Sequence, residues 1–141
     1  MNWKLIVVGY DRTHASNQAL AKAADIAEAT GATLVVTSAA RVLPSGAASH
    51  GVGPFDPADS PAEHRDELVH AQELLSTRHA RVEFDLADGE PGEAIVKLAQ
   101  ERKADLIVVG THDRTFIDRL LHGSVSADVS RHAPCDVLVV R

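Results

Sequence analysis

Short apolar runs alternate along this chain with longer stretches whose apolar residues have helical spacing. Four runs are rich in Val, Ile and Leu without polar alternation, which is typical of strands buried on both faces of a parallel sheet. These runs cover residues 5–8, 33–36, 106–109 and 137–140. Residues 81–86 instead alternate between apolar and charged positions, which predicts a fifth strand at a sheet edge.

Between these runs, apolar residues recur every three or four positions, which predicts helices. The first helix places Ala19, Ala23 and Ala27 on one face and stops at Gly31. Further helices are predicted within residues 61–79, after residues 91–92 and over residues 125–132. Alternating strands and helices connected by right-handed crossovers predict an α/β fold, a Rossmann-like open sheet with helices on both faces.

The whole chain, residues 1–141, is predicted to form one domain of this fold. Residues 42–61 are rich in Gly, Pro, Ala and Ser, which predicts a mobile surface loop within it. Hydrophobic residues make up 45% of the chain and charged residues 24%, values that exclude a disordered, fibrous or disulfide-rich protein.

The single Cys135 forms no internal disulfide, and no apolar run approaches the roughly 20 residues that span a bilayer. A cytoplasmic protein without a membrane partner is therefore expected. The net charge of -6 argues against a nucleic-acid partner. Residues 41–91 carry all of it, with four basic and ten acidic side chains, so an anionic ligand would favour the two neutral ends of the chain.

One pentapeptide, Leu-Ile-Val-Val-Gly, occurs twice and ends once at Gly9 and once at Gly110. In the common strand order 3-2-1-4-5, the first and fourth strands are neighbours where the order reverses, and ligands bind beyond the carboxyl ends of the strands there. The turn at residues 9–11 and the loop at residues 110–124 are therefore predicted to face one another across a crevice.

Two features of this predicted crevice allow more than one interpretation. Gly123 and Ser124 precede a predicted helix that starts at Val125, where backbone N–H groups and the helix dipole suit a phosphate, but Ser124 could equally serve as the helix cap. Asp11 could contact a ligand, or it could only begin a turn into the first helix, with Thr13 as the cap of that helix.

The pattern resembles the universal stress protein family over nearly the whole chain. The nucleotide-binding members of that family carry G-x-x-G, nine further residues, and then G-S or G-T. Here Gly110, Asp113, Gly123 and Ser124 stand at those positions with the spacing intact. Further similarity lies in Asp11 and in the segments 89–91 and 132–135.

This resemblance implies an adenine nucleotide such as ATP in the crevice, in a regulator of the stress response. It implies that Asp11 lies near the adenosine part, that backbone around Val36, after the second strand, contacts the base, and that the glycine positions hold the phosphates. The phosphate set also includes Ser124, Val125 and Ser126. A cytoplasmic homodimer joined through the last strands, acting on an unidentified protein partner, is implied as well.

One departure from the family pattern affects the predicted ligand. Asp113 replaces the second glycine, and Phe116 stands where the family often has another. Two like charges about 4 Å apart repel by roughly 4 kcal/mol at an effective dielectric constant near 20. Arg114 or a bound Mg²⁺ could offset this repulsion. We therefore expect weakened triphosphate binding and a preference for AMP-like ligands or a requirement for magnesium.

Two alternatives remain at this point. The first is a nucleotide-independent interaction dimer whose ligand site is filled by Asp113 and Phe116. The second is a weak ATPase, although no catalytic triad or carboxylate pair predicts efficient turnover. The eight histidines show no i, i+4 pair, so no zinc site is expected.

Overall fold

A computed structural model describes residues 2–40, 61–89, 91–110 and 133–140. Strands and helices follow one another there as β1 (Leu5–Gly9), α1 (His14–Thr30), β2 (Thr33–Ala40), α2 (Pro61–Leu75), β3 (Arg81–Asp88), α3 (Pro91–Arg102), β4 (Leu106–Gly110) and β5 (Asp136–Val140). The predictions of a mobile loop at 42–60 and of a helix at 125–132 lie outside the described residues. Pro61, the last residue of that predicted loop, already belongs to α2.

The five strands form one parallel sheet in the order β3-β2-β1-β4-β5, which confirms the predicted topology. In register, Val7 of β1 pairs with Val35 on one side and with Ile107 on the other. The alternating strand, β3, lies at one edge as predicted, and β5 forms the other edge. The two Leu-Ile-Val-Val-Gly strands, β1 and β4, are neighbours.

The two faces of the sheet bury two apolar clusters, because successive side chains of a strand point to opposite faces. Val8 and Val36 pack with α1 and α2 on one face. Val7 and Val35 pack with α3 on the other. None of the helices in the described part of the chain is long and apolar enough to cross a membrane.

Helix α1 begins and ends where its capping residues require. Thr13 is the N-cap, and its Oγ1 accepts a hydrogen bond from Ser16 N at 3.1 Å. Gly31 is the C-cap in the left-handed conformation, with φ 75°, and its N–H donates to Ala27 O. The predicted helix stop at Gly31 is therefore confirmed.

Strand β2 is longer than predicted, because its apolar run ends at Val36 but its pairing continues to Ala40. The extra residues remain in register with β3, from Thr37 opposite Asp85 to Ala40 opposite Asp88. Pairing with the backbone of β3 thus extends β2 through a Thr-Ser-Ala-Ala segment. The side chains of this segment are not hydrophobic enough to predict a strand by themselves.

The prediction that the last strand is buried on both faces is wrong. Val137 is 42% exposed and Val139 38%, whereas Val140 is buried with the α1 cluster. The physical reason is the position of β5 at a sheet edge, since among the described strands only β4 pairs with it.

Candidate functional site

The carboxyl ends of β1 and β4 lie side by side and define the candidate site. Val8 pairs with Val108. The two glycines that end these strands, Gly9 and Gly110, therefore lie together where the carboxyl ends of the strands meet. Tyr10 N donates to Thr37 O at 2.9 Å, which fixes the turn after β1 against β2. We call the space beyond these three strand ends the crevice, and it lies where the strand order reverses.

Asp11 is held in the turn between β1 and α1. Its Oδ1 accepts hydrogen bonds from Thr13 N at 3.1 Å and from Thr13 Oγ1 at 2.6 Å, and Asp11 N donates to Ser16 Oγ at 3.3 Å. The turn-forming interpretation of Asp11 and the capping role of Thr13 are therefore observed. A ligand contact by Asp11 stays a prediction, and these hydrogen bonds would orient its carboxyl group for one.

No sequence pattern indicated a role for Arg12, which lies between Asp11 and Thr13. It is exposed and adopts a left-handed backbone conformation with φ 65°. Non-glycine residues rarely adopt this conformation, and such strain collects at functional sites. The turn therefore carries an exposed cation next to the Asp11 carboxylate at the edge of the crevice.

Gly110 allows β4 to end directly against the first turn of α1. A Cβ at this position would lie 2.6 Å from the carbonyl carbon and oxygen of Ala15 and 2.8 Å from the Ala15 Cβ. The structure therefore gives Gly110 a packing role that the sequence did not predict. A phosphate contact by Gly110 stays a prediction.

Val36 lies inside β2, not after it as predicted. It pairs with Val8 on one side and Phe84 on the other, and its side chain is fully buried in the core. Its contact with a base stays a prediction. Thr37 is likewise paired on both sides, with Gly9 and Asp85, so β2 extends beyond the end of β1 only from Ser38 onward.

Thr37 was also missed, and its hydroxyl is the unusual polar group of this region. The residue is 1% exposed, and its Oγ1 has no hydrogen-bond partner in the described part of the chain. Buried polar groups are nearly always paired, so this hydroxyl, opposite the last residue of β1, suits a water or a ligand group.

A group of polar side chains lies between α2 and the carboxyl ends of β1 and β2. We call Tyr10, Ser38, His64, Glu67 and His70 the α2 polar layer. Ser38 Oγ lies 2.5 Å from His64 Nδ1 and 2.5 Å from Glu67 Oε2, and the rings of Tyr10 and His70 stack with centroids 6.2 Å apart. Nothing in the spacing of these residues along the chain predicted this group.

The phenol of Tyr10 stays neutral within this layer at physiological pH. Burial raises the pKa of Tyr10 to about 12, the carboxylates of Glu67 and Asp11 add to the rise, and Arg12 opposes it. The Tyr10 hydroxyl donates to Asn17 Oδ1 at 2.7 Å. The residue before Asp11 is therefore attached to both α1 and α2.

The predicted phosphate-binding residues lie outside the described part of the chain. They are Asp113, Arg114, Gly123, Ser124, Val125 and Ser126, together with Phe116. Their contact with Asp11 across the crevice stays a prediction. The described half of the site consists of the β1–α1 turn and the ends of β2 and β4.

Cys135 fits the interpretation as a packing residue. It contacts the apolar cluster under α3, and burial raises the pKa of its thiol to about 11, with the Asp136 and Asp105 carboxylates adding to the rise. The reactive thiolate is therefore scarce at neutral pH. Within the described residues, no group of three or more His, Cys, Asp or Glu side chains could hold a metal ion.

Comparison with known proteins relates this fold and crevice to one family. The model of the universal stress protein family matches residues 2–141. A universal stress protein of Thermus aquaticus is 37% identical over 139 residues, covering 99% of each chain. A putative universal stress protein of Staphylococcus haemolyticus is 34% identical over 146 residues, covering all of this chain and 86% of the relative.

Two solved structures resemble the chain over its whole length. One is a universal stress protein in complex with cAMP, 31% identical with a TM-score of 0.72, matched over 100% of this chain and 99% of the other. The second is a universal stress protein from Archaeoglobus fulgidus in complex with dAMP, 26% identical with a TM-score of 0.71, matched over 100% of both chains.

Proposed function

The chain belongs to the universal stress protein family, and from this membership we propose that it is a cytoplasmic regulator of the stress response that binds an adenine nucleotide. The observation that carries the proposal is the adjacency of β1 and β4, which brings the Asp11 turn and the start of the predicted phosphate loop to one edge of the sheet. Relatives of the same length and fold in complex with cAMP and dAMP support the same ligand class.

The chemistry of the sequence favours a nucleotide with one phosphate over a triphosphate. Asp113 adds a carboxylate to a loop that would otherwise present glycine backbone to the phosphates. Each further phosphate brings more negative charge towards that carboxylate. ATP would therefore depend on Mg²⁺ or Arg114 for charge compensation, whereas AMP would need less.

The proposed mechanism is regulatory. A ligand shifts a conformational equilibrium only by its differential affinity for the two states. The nucleotide would bias residues 110–124 between two conformations, and a protein partner would recognise one of them. The alternative with support in the sequence is a nucleotide-independent interaction module, favoured by Asp113 and Phe116 at positions where the family has glycine.

We expect calorimetric titration to show AMP binding more tightly than ATP in the absence of magnesium. In Asp11→Asn, AMP binding should weaken by about fivefold, because hydrogen bonds to a charged group contribute roughly 1 kcal/mol more than those to a neutral one. Asn retains an oxygen that can accept from Thr13, so the turn should stay intact.

Asp66→Asn on the exposed surface of α2 is the matched control and should bind AMP like the wild type. Mass spectrometry of the purified protein after denaturation should also detect an adenine nucleotide. No co-purified nucleotide, together with no heat of binding from millimolar AMP, ADP or ATP, would favour the interaction module instead.

We further propose that the chain is a homodimer joined through β5. This strand lies at a sheet edge and exposes two valines, Val137 and Val139. Edge strands present unpaired backbone N–H and C=O groups, and a second copy can cover both these groups and the apolar side chains.

The double variant Val137→Lys/Val139→Lys is expected to sediment as a monomer, because two cations would be buried without partners at the interface. Val69→Lys is the control, since Val69 is 52% exposed on α2, and it should leave the mass of the assembly unchanged. Analytical ultracentrifugation would show the difference. A wild type that is monomeric at micromolar concentration would contradict the proposal.

A further inference from the structure

Three side chains of the α2 polar layer form a closed triangle between β2 and α2. Ser38 Oγ, His64 Nδ1 and Glu67 Oε2 are separated by 2.5, 2.5 and 2.9 Å, so each atom is within hydrogen-bond distance of the other two. Ser38 is 3% exposed, His64 7%, and the Glu67 side chain 16%. Water therefore has little access to these contacts.

The number of protons in the triangle limits the tautomer of His64. An ionised Glu67 donates none and Ser38 donates one. If Nδ1 of His64 carried no proton, its lone pair would face the carboxylate oxygen at 2.9 Å. The hydroxyl proton of Ser38 would then be the only proton available for the three contacts of the triangle. A proton on Nδ1 removes this conflict, because the Nδ1–H group can be shared between Ser38 Oγ and Glu67 Oε2 while the serine hydroxyl donates to the same carboxylate.

A second contact connects the same helix to the crevice. His70 of α2 stacks on Tyr10, with an interplanar angle of 23°, and the backbone N–H of Tyr10 donates to Thr37 O. Tyr10 directly precedes Asp11. A movement of α2 relative to β2 would therefore reach the Asp11 turn through Tyr10.

We propose that the triangle of Ser38, His64 and Glu67 is a proton-dependent latch that holds α2 against the sheet and couples its position to the Tyr10–Asp11 turn. With both ring nitrogens of His64 protonated, the contact with Glu67 is an ion pair as well as a hydrogen bond, and the low exposure of both groups strengthens the attraction between the two charges. When His64 becomes neutral, this attraction between charges is lost and the latch loosens.

The charged and titratable groups around the latch determine the direction of the effect. Within the described residues they are Glu67 and His70 of α2, with Glu73 4.0 Å from His70, and Tyr10, Asp11 and Arg12 of the β1–α1 turn. Tyr10 is neutral because burial raises its pKa to about 12. Glu67 is the carboxylate in direct contact with His64, so the stabilisation is present at low pH and is lost as the pH rises and His64 loses its proton.

Amide hydrogen exchange of the full chain across pH 5.5 to 8.5 tests the latch. After correction for the intrinsic exchange rates, protection of α2 relative to α3 should fall by about tenfold as the pH rises, the effect of losing the ion pair between His64 and Glu67. The amide resonances of Tyr10 and Asp11 should shift with the same midpoint as the ring resonances of His64. Protection of α2 that does not change with pH would overturn the proposal.

Variants distinguish an effect of the His64 proton from an effect of the packing of its side chain. His64→Asn places an amide N–H near the position of Nδ1 but does not titrate, so the pH dependence of α2 should disappear. His79→Asn, at an exposed histidine after α2, should retain it. Persistence of the dependence in His64→Asn would overturn the latch.

A second variant decides the question if His64→Asn does not fold. Glu67→Gln keeps an acceptor oxygen at a partly exposed position but removes the charge. The His64 ring should then titrate at a lower pH than in the wild type, and the change in α2 protection should shift with it. An unchanged His64 midpoint in Glu67→Gln would contradict the proposal.

Discussion

Gly110→Ala is expected to lower the free energy of unfolding by about 1–3 kcal/mol, the usual cost of forcing one extra carbon into a packed interior. The added Cβ would lie 2.6 Å from backbone atoms of Ala15, and backbone cannot turn aside as the end of a flexible side chain can. Either β4 or the first turn of α1 would have to shift. Urea denaturation followed by circular dichroism would measure the change.

Gly92→Ala is the matched control for this substitution. A Cβ at Gly92 meets no atom within 4 Å, and the residue lies in the first turn of α3, where alanine favours the helix. This variant should be neutral or slightly more stable than the wild type. If Gly110→Ala were as stable as Gly92→Ala, the close packing of β4 against α1 would not be a constraint on the fold.

Asp113→Gly is expected to bind ATP at least tenfold more tightly than the wild type, with a smaller gain for AMP. Removing a like charge at about 4 Å would relieve roughly 4 kcal/mol at an effective dielectric constant near 20, and exposure to solvent and salt reduces that figure. Added Mg²⁺ should narrow the difference, because it neutralises part of the phosphate charge. Calorimetric titration of ATP, ADP and AMP against both proteins measures it.

Asp113→Asn separates the charge from the backbone conformation. It removes the carboxylate but keeps a side chain of the same shape, so it should recover most of the gain if repulsion is the cause. A gain in Asp113→Gly alone would assign the effect to the conformational freedom of glycine. Unchanged ATP affinity in both variants would remove Asp113 from the explanation of ligand preference.

The positions of the strands could be predicted from the sequence because their information is local, since each predicted central strand is a continuous apolar run. The common strand order 3-2-1-4-5 then made the first and fourth strands neighbours, as the structure shows. The end of β2 could not be predicted in the same way. Pairing with β3 carries that strand beyond its apolar run, and pairing depends on a neighbour that lies elsewhere in the chain.

The site was predictable only in part, for the same physical reason. Asp11 and Thr13 lie in one short turn, so their alternative roles could be recognised from their order, and the turn role is now observed. Ser38 and His64 are 26 positions apart, and only the packing of α2 on β2 brings them together. No local pattern indicates that a serine at the end of one element and a histidine in another share a carboxylate.

Gly110 shows that a glycine in the family pattern can have more than one structural role. The family pattern accounts for a glycine at this position by phosphate contact, whereas the described structure supplies a second and sufficient reason in the backbone of Ala15. A glycine at a ligand loop can therefore be required by packing alone. Its presence is weaker support for phosphate binding than the Gly123-Ser124 pair.

The two edges of the sheet differ in their resistance to aggregation. Strand β3 alternates charged side chains along its length, with Arg81, Glu83 and Asp85, and charges of this kind discourage fibril-like pairing with other chains. Residues 137–140 of β5 carry no charge and are exposed at two valines. In the proposed homodimer, separating the protomers would expose this apolar strand, so variants that do so without adding charge should aggregate faster than the wild type at equal concentration, as light scattering would measure.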